Sequence, residues 1–459
     1  MKSNRLLHDP AERHFAALVV FLGLVFLIGG GSRGDIQSLI VLRPISVLVC
    51  GAALVGLALT DTLRYRMVFG ILLGSMALIL LHLLPLPPGL WQSLSGRELL
   101  AETDRLSGTG DVWRPLSLAP DSTWNAFFTM FTPLAALLLI ARLGSRHLQR
   151  LVPVLLGIGT FSAVLGLLQI IGPPDSRLYF YRIHTDGMAV GLFANRNHAA
   201  MLLAVMFPLL TLFASSGNTE NSMKLRSWLA ITVAITLVPM ILATGSRAGL
   251  LLSVLAIAGS ALFYRRQEGL HRRREAHKAG RRPLLLLAAF LAVGGASFLL
   301  SRATAINRLF SEGVSEDLRF SIWGPTIDAA LEFFPFGSGL GTFVEAFKID
   351  EPDSLIGPSY VNHAHNDFLE LFMTGGLPAI VLALAGLAIA GKWAWQSWFG
   401  GEADNSRVQL ARAGSIIVLT LVLGSIADYP LRVPSLACLL VVGIIWMVPE
   451  RLGAEPKTR

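Results

Sequence analysis

Long apolar runs alternate with short polar connections along almost the whole chain. Runs long enough to cross a hydrocarbon core, which takes roughly 20 residues as helix, number about twelve. They lie near residues 15–31, 37–60, 66–86, 124–142, 151–172, 193–214, 227–244, 248–264, 284–301, 371–391, 409–427 and 431–449. Hydrocarbon offers the backbone no hydrogen-bond partner, so each run must pair its own amides and carbonyls as a helix. The pattern predicts an all-α, polytopic membrane protein: one integral membrane domain over residues 1–459, with a long, partly helical external loop at 302–370. The run from Phe15 to Gly31 follows Lys2, Arg5 and Arg13 and is read as an uncleaved first helix; a secretory signal ending at Gly29-Gly30-Gly31 is the alternative.

Composition agrees with the pattern. Of 459 residues, 53% are hydrophobic and only 15% charged, against about 25% charged in soluble domains. The net charge of +8 would suit nucleic acid, but the basic residues sit in alternate connections. These hold Arg64 and Arg66, then Arg142, Arg146 and Arg150, then Lys224 and Arg226, then Arg265 to Arg282, then Lys392 and Arg407, then Arg451 and Lys457. Loops rich in Lys and Arg stay on the cytoplasmic side, so both termini are expected there. The densest run, RRQEGLHRRREAHKAGRR, is a topology anchor facing an anionic leaflet rather than a nucleic-acid site. Cys50 and Cys438 fall inside apolar spans and read as packing residues, not as a disulfide or metal framework.

That orientation puts the loops 87–123, 173–192 and 302–370 on the opposite face, where rigid helices can present polar groups to water. The first, with Pro and Trp at its ends, reads as structural. The second carries Arg177 and Arg182 and leads into Asn195-Arg196-Asn197-His198 at the mouth of the sixth span. Arg196 and His198 either anchor that helix at the headgroup level or contact a substrate. In the third loop, Ser315-Glu316-Asp317 can open a helix. Arg319, Ile322, Trp323 and Ile327 continue it with broadly helical spacing until FPFGSGLGTF ends it. The glycines there lack the Gly-Lys-Ser/Thr of a nucleotide loop. The acidic KIDEPD segment reads as solvated surface.

The most concentrated chemistry lies at residues 361–378, VNHAHNDFLELFMTGGLP. Asn366 or Asp367 can cap a helix, and Glu370 stands three residues after Asp367 as in a capping box. His365 is therefore expected at a helix N-terminus, followed by a short interfacial helix, a bend at Gly375-Gly376 and a span opened by Pro378. His363 and His365 have two readings here, interfacial polar residues or a proton acceptor; their spacing defines no zinc site. Arg247, in ATGSRAGLL, falls at the external end of an apolar span, where an arginine is costly unless it pairs or binds something. Guanidinium groups suit phosphate through paired, permanently charged donors, which makes Arg247 and Arg319 candidates for a pyrophosphate.

Taken in order, LLPLPPGLW, FANRNH, TGSRAGLL, DLRFSIW with FGSGLGTF, HAHNDFLE with GGLP, and SIADYPLRVP make the chain resemble the O-antigen ligase and polymerase superfamily of bacterial inner-membrane proteins. The resemblance implies a multi-pass glycosyltransferase whose active site faces the periplasm and which needs neither metal nor cofactor. It implies a glycan donor on undecaprenyl pyrophosphate and an acceptor sugar hydroxyl, on lipid A-core for ligases or on a growing glycan for polymerases. By the same resemblance His365 matches the essential histidine, Arg247 the arginine of a Ser-Arg-x-Gly motif, and Arg319 the loop arginine preceding a tryptophan. Arg196, His198, Arg177, Arg182 and Asn366 are secondary candidates for substrate binding. The chain departs from the family where the second Gly of the Gly-x-x-Gly element is Ala379.

Three other readings fit the same residues. One is a repeat-unit polymerase, another a protein glycan ligase with serine or threonine acceptors. The third, from another class, is a transporter or flippase; such proteins place charge at mid-membrane, and here Arg43-Pro44 is the main instance.

Overall fold

A computed structural model of the protein describes residues 9–173, 176–216, 219–271, 314–357, 360–400 and 405–449. The expected span near 284–301, most of the basic run after Arg265 and the start of the 302–370 loop lie outside the described residues.

The chain is helical almost throughout. In order it forms α1 (Pro10–Ile28), α2 (Ser38–Leu54), α3 (Leu59–Arg64), α4 (Arg66–His82), β1 (Pro85–Leu86), α5 (Pro88–Trp91), α6 (Glu98–Leu106), β2 (Arg114–Pro115), α7 (Pro120–Thr129), α8 (Phe131–Ala141) and α9 (Ser145–Ile171). It continues with α10 (Arg196–Ser215), α11 (Glu220–Ala243), α12 (Arg247–His271), α13 (Val314–Glu332), α14 (Phe343–Phe347), α15 (Asp367–Phe399), α16 (Ser406–Ala427) and α17 (Pro434–Met447). Eight candidate spans among the described residues are long and apolar enough to cross a membrane, α7 and α8 together forming one of them. The shorter apolar helices α2, α4 and α17 occupy three of the other expected spans, so the described part falls short of the expected twelve.

Helix α10 is the centre of the bundle. It is buried along nearly its whole length and packs against α9, α11, α12 and α16. Small residues allow these approaches, since lipid tails provide little drive for helix association and close backbone contact must supply it. A Cβ on Gly249 of α12 would stand 2.2 Å from the Cβ of Ala200, and one on Gly414 of α16 would stand 2.5 Å from the Gly443 carbonyl of α17. Arg43, the one arginine well inside an expected span, is answered by Asn125 Oδ1 at 2.8 Å and Thr129 Oγ1 at 3.3 Å on α7.

The two ends of the bundle differ in chemistry. At one end, Arg150 pairs with Glu12 at 2.5 Å and Arg142 donates to the Val55 carbonyl at 2.7 Å. Arg407 there reaches Ser145 Oγ at 3.2 Å, and Gln149 reaches Ser406 Oγ at 2.8 Å. These contacts gather the start of α1, the end of α2 and the starts of α9 and α16. The opposite end gathers the end of α1, the starts of α10, α12 and α15, and the end of α16. A helix of α16's 22 residues separates them by about 33 Å, which matches a hydrocarbon core of about 30 Å.

The expected short helix and bend are present: α15 is two helices, a short one from Asp367 and the longer one to Phe399, which meet at a kink where Gly376 adopts φ 58°, ψ −156°. A break in an apolar helix frees backbone groups that need new partners. The turn after α13 supplies them: Ser338 N donates to the Met373 carbonyl at 3.0 Å, Gly339 N to Thr374 at 2.8 Å, and Leu377 N to Pro335 at 2.8 Å. The small Ala379 suits this packing, because a Cβ on Gly375 would already meet its methyl at 2.4 Å. The first external loop docks on the same turn through Leu118 N on the Ser338 carbonyl at 2.9 Å and Arg97 on the Gly337 carbonyl at 3.2 Å. Arg319, Ile322, Trp323 and Ile327 all lie on α13 as their spacing predicts; Ile322 is buried, whereas Ile327 is 44% exposed.

Gly376→Ala puts a Cβ 2.2 Å from the Pro335 carbonyl at a positive φ, so a destabilisation of about 1–3 kcal/mol or more is expected. Thermal unfolding in detergent measures it; an unchanged midpoint would show that the kink relaxes freely.

Candidate active site at one end of the bundle

The 361–367 segment is held at almost every residue. Asn366 is the N-cap of α15, its Oδ1 accepting from Phe368 N and Leu369 N, both at 3.1 Å. The Ala364 amide donates to Glu370 Oε2 at 3.0 Å, and its carbonyl accepts from Trp323 Nε1 of α13 at 3.0 Å. His363 is clamped between Ser32 Oγ at 3.1 Å and Glu370 Oε1 at 3.0 Å. Burial holds the His363 imidazole below its usual value despite the Glu370 carboxylate beside it. Arg432, in the turn after α16, braces the start of α15 by pairing with Asp367 at 3.2 Å and Glu370 at 3.1 Å. Together these contacts hold His365 at φ 51°, a left-handed conformation rare for a residue with a side chain. Such strained residues persist where the surroundings over-determine them, often at functional sites.

His365 faces the end of α16. Its Nδ1 lies 3.2 Å from Oδ1 of Asp428, and its ring packs edge-on against Tyr429 at 4.9 Å. Asp428 is fully buried and its oxygens are saturated. Oδ1 also accepts from the Tyr429 amide at 3.0 Å, while Oδ2 accepts from Asn195 Nδ2 at 3.2 Å and Asn197 Nδ2 at 2.5 Å. Burial alone would raise this carboxyl. The hydrogen bond from His365 and the electrostatic influence of His198, His365 and Arg319 outweigh it and hold Asp428 well below the usual carboxylate range. An ionised carboxylate only accepts, so the neutral form of His365 carries its proton on Nδ1 and its lone pair on Nε2.

Exposure separates the three histidines. The His365 side chain is 26% exposed, His363 12% and His198 1%. His198 lies beneath Tyr429, with ring centroids 5.0 Å apart, and stands 4.0 Å from Asp428. It reaches the site through Asp428 rather than by facing outward.

Among the other residues singled out in the sequence, Arg319 sits in the second turn of α13 and its charge acts on Asp428. Arg247 opens α12 directly after a tight turn at Gly245, φ 61°, where a Cβ would meet the Arg196 guanidinium at 3.3 Å. Arg196 opens α10 between the two asparagines that hold Asp428. The structure thus links His365, Asp428, Arg196 and the Arg247 turn in one run of neighbours. Arg177 and Arg182 are exposed and stand apart from this cluster; Arg182 Nη2 instead lies 3.8 Å from Asp35. Among the described residues no three His, Cys, Asp or Glu side chains form a group able to hold a metal ion.

Sequence reasoning missed Asp428, Asn195, Asn197, Tyr429, Glu370, Arg432 and the Ser32-Arg33 pair. The available signal for Asp428 was a lone carboxylate ending an apolar helix, a placement that is costly without a partner.

Residues 231–384 match the family model described as O-antigen ligase. Over that segment, about a third of the chain, the protein is similar to the O-antigen ligase superfamily. The matched segment contains Arg247, Arg319, His363, His365 and the Gly376 kink, while Asp428 and the α10 asparagines lie outside it. No curated protein matches the chain. This match and the apolar helices together point to a bacterial membrane protein of the O-antigen ligase or polymerase type.

Proposed function

We propose that the protein is an O-antigen ligase-type glycosyltransferase. It moves a glycan from undecaprenyl pyrophosphate to a sugar hydroxyl of lipid A-core at the periplasmic face of the inner membrane, without metal. The observation that carries this reading is the His365–Asp428 pair: a partly exposed imidazole whose Nδ1 proton faces a buried, saturated carboxylate and whose Nε2 is left to accept a proton.

In one displacement, the acceptor hydroxyl gives its proton to His365 Nε2 while its oxygen bonds to the anomeric carbon. The bond from that carbon to pyrophosphate breaks, the electron pair leaves with undecaprenyl pyrophosphate, and the configuration inverts. Arg247 and Arg319 offset the charge growing on the departing diphosphate. Arg196 supplies a further guanidinium, and the amino ends of α10 and α12 add the positive ends of two helix dipoles. Asn366 and His198 shape the site as cap and buried neighbour. The contrast between the bundle's ends supports the orientation: the cluster of Arg142, Arg150 and Arg407 suits the cytoplasmic side, with both termini, which leaves the His365 end to the periplasm. The chain works as one integral membrane domain.

Reconstitution tests the reading. Purified protein in liposomes, given a lipid-pyrophosphate glycan and lipid A-core, is expected to yield core bearing the glycan. Longer lipid-linked glycan with bare core would make it a polymerase, and relocation of the donor without transfer would overturn the proposal in favour of a flippase.

A further inference from the structure

Near the His365 site the structure holds a concave feature. A cleft of about 200 Å³ opens between the segment joining α1 to α2 and the loop before α10, lined by Arg33, Asp35, Gln37, Phe180, Tyr181 and Arg182 among others. Its two walls are fixed to each other: Tyr181 Oη accepts from the Gly30 amide at 2.6 Å, and Ala194 N donates to the Gly30 carbonyl at 3.1 Å. The cleft adjoins the histidine cluster. Ser32 Oγ lies 3.1 Å from His363 Nε2. Arg33 donates to Tyr360 Oη at 2.8 Å, and its guanidinium stands 4.6 Å from the centre of that ring. Rings of His363 and His365 flank Tyr429 at 4.3 and 4.9 Å, so a few side chains separate the cleft from the His365 imidazole.

We infer that this cleft is an acceptor-sugar subsite, which holds one saccharide ring of the acceptor so that a neighbouring ring presents its hydroxyl to His365; the inference rests on the glycosyl-transfer reading above. The lining is the kind that recognises a neutral polyol. Phe180, 44% exposed, offers an apolar face for the C–H side of a sugar ring, while Asp35, Arg33, Arg182 and Gln37 offer planar, paired donors and acceptors for vicinal hydroxyls. The charge balance argues against a second pyrophosphate site. Asp35 Oδ1 lies 3.1 Å from Arg33 Nε and its Oδ2 3.8 Å from Arg182 Nη2, so the cations already have an anionic partner, and a diphosphate would meet that carboxylate. The cleft is also smaller than a usual ligand pocket of about 300 Å³ or more, which limits it to roughly one ring and leaves the rest of the acceptor outside. On this account Arg182 contributes to the acceptor and not to the donor.

Two measurements on full-length protein in liposomes decide the matter: initial transfer rates against acceptor concentration, and equilibrium binding of the acceptor glycan and of a fluorescent lipid-pyrophosphate donor. Phe180→Ala/Arg182→Ala and Asp35→Asn are each expected to raise the acceptor KM and weaken acceptor binding by about tenfold or more, with donor affinity unchanged. Phe180 and Arg182 are exposed, so the first variant is expected to unfold at the wild-type temperature. Unchanged acceptor binding overturns the inference, and so does a loss confined to the donor, which would make the cleft a pyrophosphate site. If the wild-type protein binds the acceptor but transfers nothing, the proposed reaction fails, while the binding comparison still decides the cleft.

Discussion

Replacement of His365 by alanine is expected to lower glycan transfer by about 10²–10⁴-fold, the usual contribution of a positioned general base. Cells expressing the variant at the wild-type level should accumulate long lipid-linked glycan while the lipid A-core stays bare. The size of the effect follows from geometry. His365 is the most exposed of the three clustered histidines, and its backbone is held in a left-handed conformation. Its Nδ1 is turned to Asp428, which directs Nε2 away from that carboxylate. Alanine leaves the fold's main braces in place, since Trp323 bonds the Ala364 carbonyl, Asn366 caps α15, and Arg432 pairs with Asp367 and Glu370. Full activity in the variant would remove His365 as the base.

Asp428→Asn should produce a loss of comparable order, about 10²–10⁴-fold in kcat. The amide is nearly the size of the carboxylate but lacks its charge, and it can offer an N–H to Nδ1. That would draw the imidazole proton to Nε2, the atom that has to accept. The defect should not depend on pH between about 5 and 8. A carboxyl whose folded value is depressed contributes stability that is fully present above its unfolded value of about 4 and lost as pH falls through the lower folded value; Asp428 is such a group. Over the neutral range its ionisation is therefore constant. Because Asp428 also holds Asn195 and Asn197 of α10, thermal unfolding should be measured alongside. A stable, inactive variant supports the proton-handling role, and wild-type rates would reduce Asp428 to a brace.

The architecture was largely legible in the chain because helix propensity in apolar runs and capping chemistry are local. The start of α15 at HND and its bend at Gly375-Gly376 could both be read from a few adjacent residues, as could the helix openings near Ser315 and Arg247. What could not be read were the partners. Asp428 lies 63 residues beyond His365, Ser32 lies 331 residues before His363, and Arg432 reaches back to Asp367 and Glu370. Such pairs exist only once helices have packed, and no local pattern fixes which helix ends meet. The two acidic residues after His365 illustrate the difference. In sequence they look like first-turn residues complementing a helix dipole; in the structure they are also the anchors for a half-buried arginine from the far end of the chain. Arg177 and Arg182 fall away from the histidine cluster for a related reason: the loop before α10 turns toward the segment after α1, a path that its composition does not dictate.

In the proposed mechanism an imidazole held by a buried carboxylate takes the acceptor's proton beside arginines that receive the diphosphate. Single-turnover transfer by the purified His365→Ala protein in liposomes, with donor binding measured on the same sample, tests it most directly. The account predicts that the donor still binds and the glycan does not move. Transfer at the wild-type rate would contradict it.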